Sequence, residues 1–167
     1  MYKLHFGLRE LPFGITPDTS FFFACSNYQE ALNTLLIATA NGEGFIKITG
    51  EVGIGKTMLC RKFINTLDDS FVTAYIPNPN LEPRTLMFAL ADELEISLPK
   101  DVDQHHLLKA INHRLLVLAR DGKRVVRCLD EAQAMPIESL EALRLLTNLE
   151  TVKRKLLQIV LFGQPEL

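Results

Sequence analysis

No apolar run in this chain of 167 residues approaches the ~18 to 20 residues that a membrane-crossing helix needs. The N-terminus also lacks the basic region and apolar segment of a secretory leader. A cytoplasmic protein is therefore expected. Cysteine is scarce: Cys25, Cys60 and Cys128 are odd in number, far apart and never in C-x-x-C spacing, which suggests neither a disulfide framework nor a zinc site. Buried free thiols are the expectation. Net charge is also small, at −2, so no general electrostatic pull toward nucleic acid or acidic lipid is present, and nucleic acid is not an expected partner. Internal repeats and low-complexity linkers are missing as well. What remains is 47% hydrophobic, the composition of one globular domain with a core.

The stretch Gly50-Glu-Val-Gly-Ile-Gly-Lys-Thr57 fits the phosphate-binding pattern G-x-x-x-x-G-K-[ST] at every fixed position. Glycines let backbone N–H groups curl around an anion, Lys56 supplies a mobile cation for the terminal phosphates, and the Thr57 hydroxyl can ligate magnesium. Gly44 to Thr49 reads as a short buried strand before this loop, and Met58 to Leu67 as an amphipathic helix after it. That order points a helix N-terminus at bound phosphates. The expected nucleotide-binding set is Gly50, Glu51, Val52, Gly53, Ile54, Gly55, Lys56, Thr57 and Met58.

Residues 1–25 are rich in aromatics and turn formers, with Phe6, Phe13, Phe21, Phe22 and Phe23 around Pro12, Gly14 and Pro17. They read as an irregular but docked arm, either packed over a core edge or walling a nucleotide base, which needs apolar surface. Ser26 to Gln29 matches a capping box, and the helix it would open runs to Gly42. Phe71 to Ile76 is a second strand, closed by Pro77-Asn-Pro-Asn80. Helices are expected from Pro83 to Leu94 and from Val102 to Arg120. The second holds His105, His106 and His113, which lack same-face carboxylates one turn on and receive no role.

Arg124 to Leu129 is a third strand, and it ends in Asp130-Glu131. An apolar strand with two carboxylates at its C-terminal end can give Asp130 to a magnesium shell and Glu131 to an attacking water. Pro136 to Asn148 is a further helix, and Lys153-Arg-Lys155 a basic turn that reads as solvated loop. The fourth strand, Leu156 to Phe162, leads to Gln164. At a strand end that side chain could sense the terminal phosphate or orient water, or it could serve loop hydrogen bonding.

Phe6-Gly-Leu-Arg-Glu-x-Pro-Phe13, Ile15-Thr-Pro-Asp18, the phosphate loop, Leu129-Asp-Glu-Ala-Gln133, Leu143-Arg-x-Leu-x-Asn-Leu-Glu150 and Gly163-Gln-Pro-Glu-Leu167 together resemble the bacterial ExeA/GspA-like group of AAA+ ATPases. The resemblance spans nearly the whole chain. It implies a three-layer α/β/α P-loop fold with a mainly parallel sheet: an arm over 1–25, a core over 26–167, four core strands, and a fifth strand and helical lid beyond residue 167. It also implies ATP or ADP and Mg²⁺ as ligands, with Lys56, Glu131 and Gln164 catalytic and Thr57 and Asp130 on the metal. Homo-oligomers, and pilus or secretion components at the inner membrane, are the implied partners. A DNA-associated regulator resembling transposition ATPases and a nucleotide-gated scaffold with little turnover are the competing functions. The group also uses an arginine supplied by a neighbouring subunit, which can contribute ~10³ to 10⁵ in rate, so hydrolysis by this stretch alone should be weak. Two residues depart from the group: Ile54, where Thr is common, and Arg127, in a strand that is normally apolar. A charge in a central parallel strand should find a carboxylate or bend its head out of the layer.

Overall fold

The computed structural model describes residues 2–9, 15, 25–151 and 154–167. Four strands, β1 (Phe45–Thr49), β2 (Phe71–Ile76), β3 (Arg124–Leu129) and β4 (Leu157–Gly163), alternate with helices. The helices are α1 (Tyr2–His5), α2 (Ser26–Ala40), α3 (Lys56–Thr66), α4 (Pro83–Glu93), α5 (Gln104–Arg120) and α6 (Ile137–Thr147). The strands pair in parallel in the order β1-β4-β3-β2. Parallel neighbours cannot be joined by hairpins, so each connection crosses over a face of the sheet and carries helices with it.

Alternation along β3 and β4 then divides the core in two. Val126, Cys128, Val160 and Phe162 pack with Leu32 and Leu35 of α2 and with Leu59, Cys60 and Phe63 of α3. Val125, Leu129, Leu157, Ile159 and Leu161 belong to the opposite core, with Leu86 and Leu90 of α4, Leu107, Ile111 and Leu115 of α5, and Leu143 and Leu146 of α6. This is the three-layer arrangement expected. Among the described residues β1 has β4 as its strand neighbour and is an edge. The strand expected to be buried is therefore partly open to solvent: Phe45, Lys47 and Thr49 are exposed, and Ile46 and Ile48 half-buried.

Local chemistry adjusts several boundaries. The capping box at Ser26 does not form: Cys25 is the N-cap, its carbonyl accepts the N–H groups of Tyr28 and Gln29, and the Gln29 amide turns forward to Asn33. Cys25 is consequently exposed, unlike Cys60 and Cys128, which are the buried free thiols expected. Helix α5 starts two residues later than its periodicity suggested because Asp103 caps it, accepting from the His106 N–H and contacting the His106 ring at 2.5 Å. In the arm, Leu4, Phe6 and Ile15 are exposed, and Phe13, Phe21, Phe22 and Phe23 lie outside the described residues. No helix among the described residues is long and apolar enough to cross a membrane.

Arg127 follows neither of the two routes expected of it. Its side chain is fully buried, one Nη donates a long 3.4 Å bond to the Glu93 carbonyl, and its Nε and other Nη have no partner among the described residues. Burial holds its pKa below the usual arginine value, against the weaker opposing pull of the Glu93 charge. Its β3 neighbours on the same face, Val125 and Leu129, belong to the larger apolar core, so a leucine would fit the surroundings better. Arg127→Leu should stabilise the fold by about 1 to 4 kcal/mol, roughly 2 to 10 °C in melting temperature. A calorimetric melt that falls instead would show the guanidinium to be structurally required.

Candidate nucleotide site

The C-terminal ends of β1, β3 and β4 gather the sequence motifs at one end of the sheet, where parallel α/β folds place their ligands. Gly55 is the N-cap of α3 with φ 93°, a left-handed conformation that glycine adopts without strain. Helix α3 therefore begins at Lys56, two residues before the apolar periodicity does. Its free N–H groups open onto the loop. The Lys56 ammonium curls over that loop and donates to the carbonyls of Gly50 and Glu51, both at 2.7 Å. Ile54 has a local consequence as well. Its Cδ1 lies 2.1 Å from where a Cβ on Gly50 would sit, so the larger side chain is accommodated because Gly50 has none.

Asp130, at the end of β3, is almost fully buried. One carboxylate oxygen accepts the Glu131 backbone N–H at 2.9 Å, and the other accepts the Thr57 hydroxyl at 2.5 Å and the Tyr75 hydroxyl at 3.1 Å. Two motifs 73 residues apart thus meet at one carboxylate. Tyr75 was not singled out by sequence, since its link to Asp130 depends on the parallel register that sets it opposite Cys128. Burial first, then the Asp130 charge and hydrogen bond, push its pKa up to about 12, which keeps the hydroxyl protonated as a donor. Arg61 of α3 lies over the Tyr75 ring at 5.9 Å.

Glu131 is exposed and adopts a left-handed backbone with φ 52° and ψ 37°, a conformation that costs a non-glycine residue of order 1 to 3 kcal/mol. Its Oε2 accepts from Gln133 Nε2 at 2.6 Å. Gln164 joins this group through its backbone N–H, which donates to Gln133 Oε1 at 3.1 Å. The site residues expected at the phosphate loop, the β3 end and the β4 end therefore converge. Val52 and Ile54 are exposed loop positions.

A cleft of about 350 Å³ adjoins the loop, lined by Tyr28 and Ala31 of α2, by Ile48, and by Ile54, Lys56 and Leu59 among others. Its walls are largely apolar, and the Tyr28 ring comes within 3.6 Å of where a Gly55 Cβ would lie. A larger cleft of about 580 Å³ lies among Arg84, Gln104, Pro136 and their neighbours and contains none of the motif residues. Chemistry favours the smaller one.

Among the described residues no group of three or more His, Cys, Asp and Glu could hold a metal on its own. A magnesium ion fits here in a different way. It dehydrates reluctantly and is commonly held by one or two protein oxygens together with phosphate oxygens and water, and the Thr57 and Asp130 oxygens, 2.5 Å apart, are a donor pair of that kind.

A family model described as "AAA domain" matches residues 39–167. General secretion pathway protein A of Aeromonas hydrophila is 44% identical over 167 residues, which are 100% of this chain and 30% of that protein. The chain thus spans about a third of that relative's length. Among solved structures, the Cdc6p of Pyrobaculum aerophilum superposes with a TM-score of 0.63 at 20% identity, over 86% of this chain and 40% of that one. The ORC2 protein of Aeropyrum pernix, in ADPNP-ADP complexes, gives 0.57 at 17% identity, over 83% and 40%. These structural likenesses speak for the fold. Together with the family match over three quarters of the residues, they place the chain in the AAA domain family of P-loop proteins.

Proposed function

We propose that this domain binds and hydrolyses ATP with magnesium, and that its nucleotide cycle drives assembly of a secretion or pilus apparatus. The observation that carries the first part is the meeting of Thr57 and Asp130 at 2.5 Å, beside a glycine-capped helix N-terminus and a lysine already aimed over the loop. Lys56 and the α3 N–H groups would hold the phosphates, and the apolar cleft beside Tyr28 would take the base. Bound magnesium would supply charge neutralisation across the terminal phosphates. Asp130 and Thr57 would hold it, with the Tyr75 hydroxyl fixing the aspartate by a hydrogen bond. Glu131 is the base, accepting a water proton at its carboxylate, and Gln164 stands at the β4 end as the phosphate-sensing position.

The secretion assignment draws on the kinship with General secretion pathway protein A. A narrower reading, biogenesis of mannose-sensitive haemagglutinin pili, rests on motif similarity to the ATPase MshM. Homo-oligomerisation of the whole protein belongs to the same reading and draws on membership of the AAA domain family. Calorimetry with ADP and ATP, with and without Mg²⁺, should show binding that tightens with the metal, and sedimentation should show association that grows with concentration. Metal-independent affinity would refute the Thr57–Asp130 assignment.

A further inference from the structure

Gln133 closes the Leu129-Asp-Glu-Ala-Gln133 run, yet it has no role among the site residues above. Its side-chain amide is bonded at both ends: Nε2 donates to the Glu131 carboxylate at 2.6 Å, and Oε1 accepts the Gln164 N–H at 3.1 Å. Only this orientation of the amide satisfies both, because a carboxylate accepts and an N–H donates. The approach is close enough that a Cβ on Gly163 would fall 3.0 Å from Gln133 Oε1 and 2.8 Å from Leu167 Cδ2, so the glycine makes room for the amide. The β4 end is tied in turn to the phosphate loop, since the Gly50 N–H donates to the Gly163 carbonyl at 3.1 Å. A continuous series of hydrogen-bonded groups therefore runs from the first glycine of the loop, through Gly163 and Gln164, to Gln133 and Glu131. Glu131 itself is exposed and stands on a left-handed backbone, so burial does not fix its side chain. The amide supplies that restraint.

We propose that Gln133 is a positioning residue that fixes the aim of the Glu131 carboxylate relative to the end of β4, and so couples the phosphate loop to the water-activating base. The inference rests on the assignment of Glu131 as that base. Shifting Gly163 and Gln164 by a fraction of an ångström would move the amide and redirect the carboxylate it holds.

The test uses single-turnover hydrolysis of Mg-ATP with protein in excess, which reads the chemical step even when it is slow, beside calorimetric ADP affinity and thermal melting. Gln133→Ala should lower the single-turnover rate by about 10- to 100-fold, the usual cost of removing an outer-shell support, with ADP affinity within about 2-fold of the parent. Gln133→Glu keeps the acceptor for the Gln164 N–H but, ionised, cannot donate to the Glu131 carboxylate, so its single-turnover rate should fall along with that of Gln133→Ala while ADP affinity stays within about 2-fold of the parent. A purely structural glutamine would lower the melting temperature and leave the single-turnover rate of the folded protein at the parental value. Parental rates in both variants would overturn the proposal, as would a rate loss matched by an equal loss of ADP affinity. Glu131→Gln is the separate control: a parental rate there would remove the base assignment itself, whereas a lost rate with unaffected Gln133 variants would remove only the positioning role.

Discussion

Lys56→Ala should abolish measurable nucleotide binding, with a loss of at least ~100-fold in affinity, or about 2.7 kcal/mol. The size follows from where the ammonium stands. Lys56 is the first residue of α3, so its charge adds to the partial positive charge of the helix N-terminus at the same point. Its Nζ is held over the loop by two carbonyls at 2.7 Å, and phosphate oxygens, being charged, are stronger acceptors than those carbonyls. Removing it leaves the neutral N–H groups of the loop to hold a polyanion unaided. Stability should change little, because Glu51 is exposed and Gly50 only half-buried, so water can take the place of the ammonium at both carbonyls. Calorimetry with Mg-ADP reads the affinity and a melt reads the fold, and near-parental affinity in a folded variant would refute the phosphate assignment.

The sequence disclosed most where local and global signals agree. Strands β2 and β3 occupy the ranges their β-rich runs suggested, and β1 and β4 differ by at most one residue at either end. A sheet covered on both faces demands short apolar strands at its centre, as in β3 and β4, whereas β1, read as buried, is an edge with Phe45, Lys47 and Thr49 exposed. The α3 start was displaced because apolar periodicity cannot register Lys56 and Thr57, which are polar yet helical behind a left-handed Gly55. The false capping box at Ser26 shows a motif outcompeted by a backbone carbonyl. That the phosphate-loop stretch and the Asp130-Glu131 pair lie at one end of the sheet was legible, since each follows directly on an apolar strand in the sequence. Tyr75, Tyr28 and Gln133 were not, for each acts through a partner that only topology brings near: Asp130 across 55 residues, Gly55 across the α2–β1 connection, and Gln164 across 31. Arg127 was flagged as a conflict between residue and strand. Its resolution was not legible, because whether a buried cation finds a partner depends on the α4 residues that happen to lie above it.

Glu131→Gln should leave nucleotide binding intact and reduce hydrolysis by ~10² to 10⁴-fold, the usual contribution of a positioned general base. Binding survives because Glu131 is exposed and lies outside the phosphate loop, and because the carboxylate proposed to hold magnesium is that of its neighbour Asp130, which is fixed independently by Thr57, Tyr75 and the Glu131 backbone N–H. The substitution touches none of these three bonds. Geometry should also persist. A glutamine at 131 presents a carbonyl oxygen where Oε2 now accepts from Gln133, so the link to the β4 end can remain while the proton acceptor is lost. The left-handed backbone at 131 is strained for either side chain, so stability should not separate the two. The variant therefore isolates basicity from position, which Lys56→Ala and the Gln133 variants do not. Calorimetric affinity for Mg-ATP beside single-turnover phosphate release reads both quantities on one preparation. A variant that loses affinity and rate together would move Glu131 from the chemical step to the binding step, and the water would then need another base.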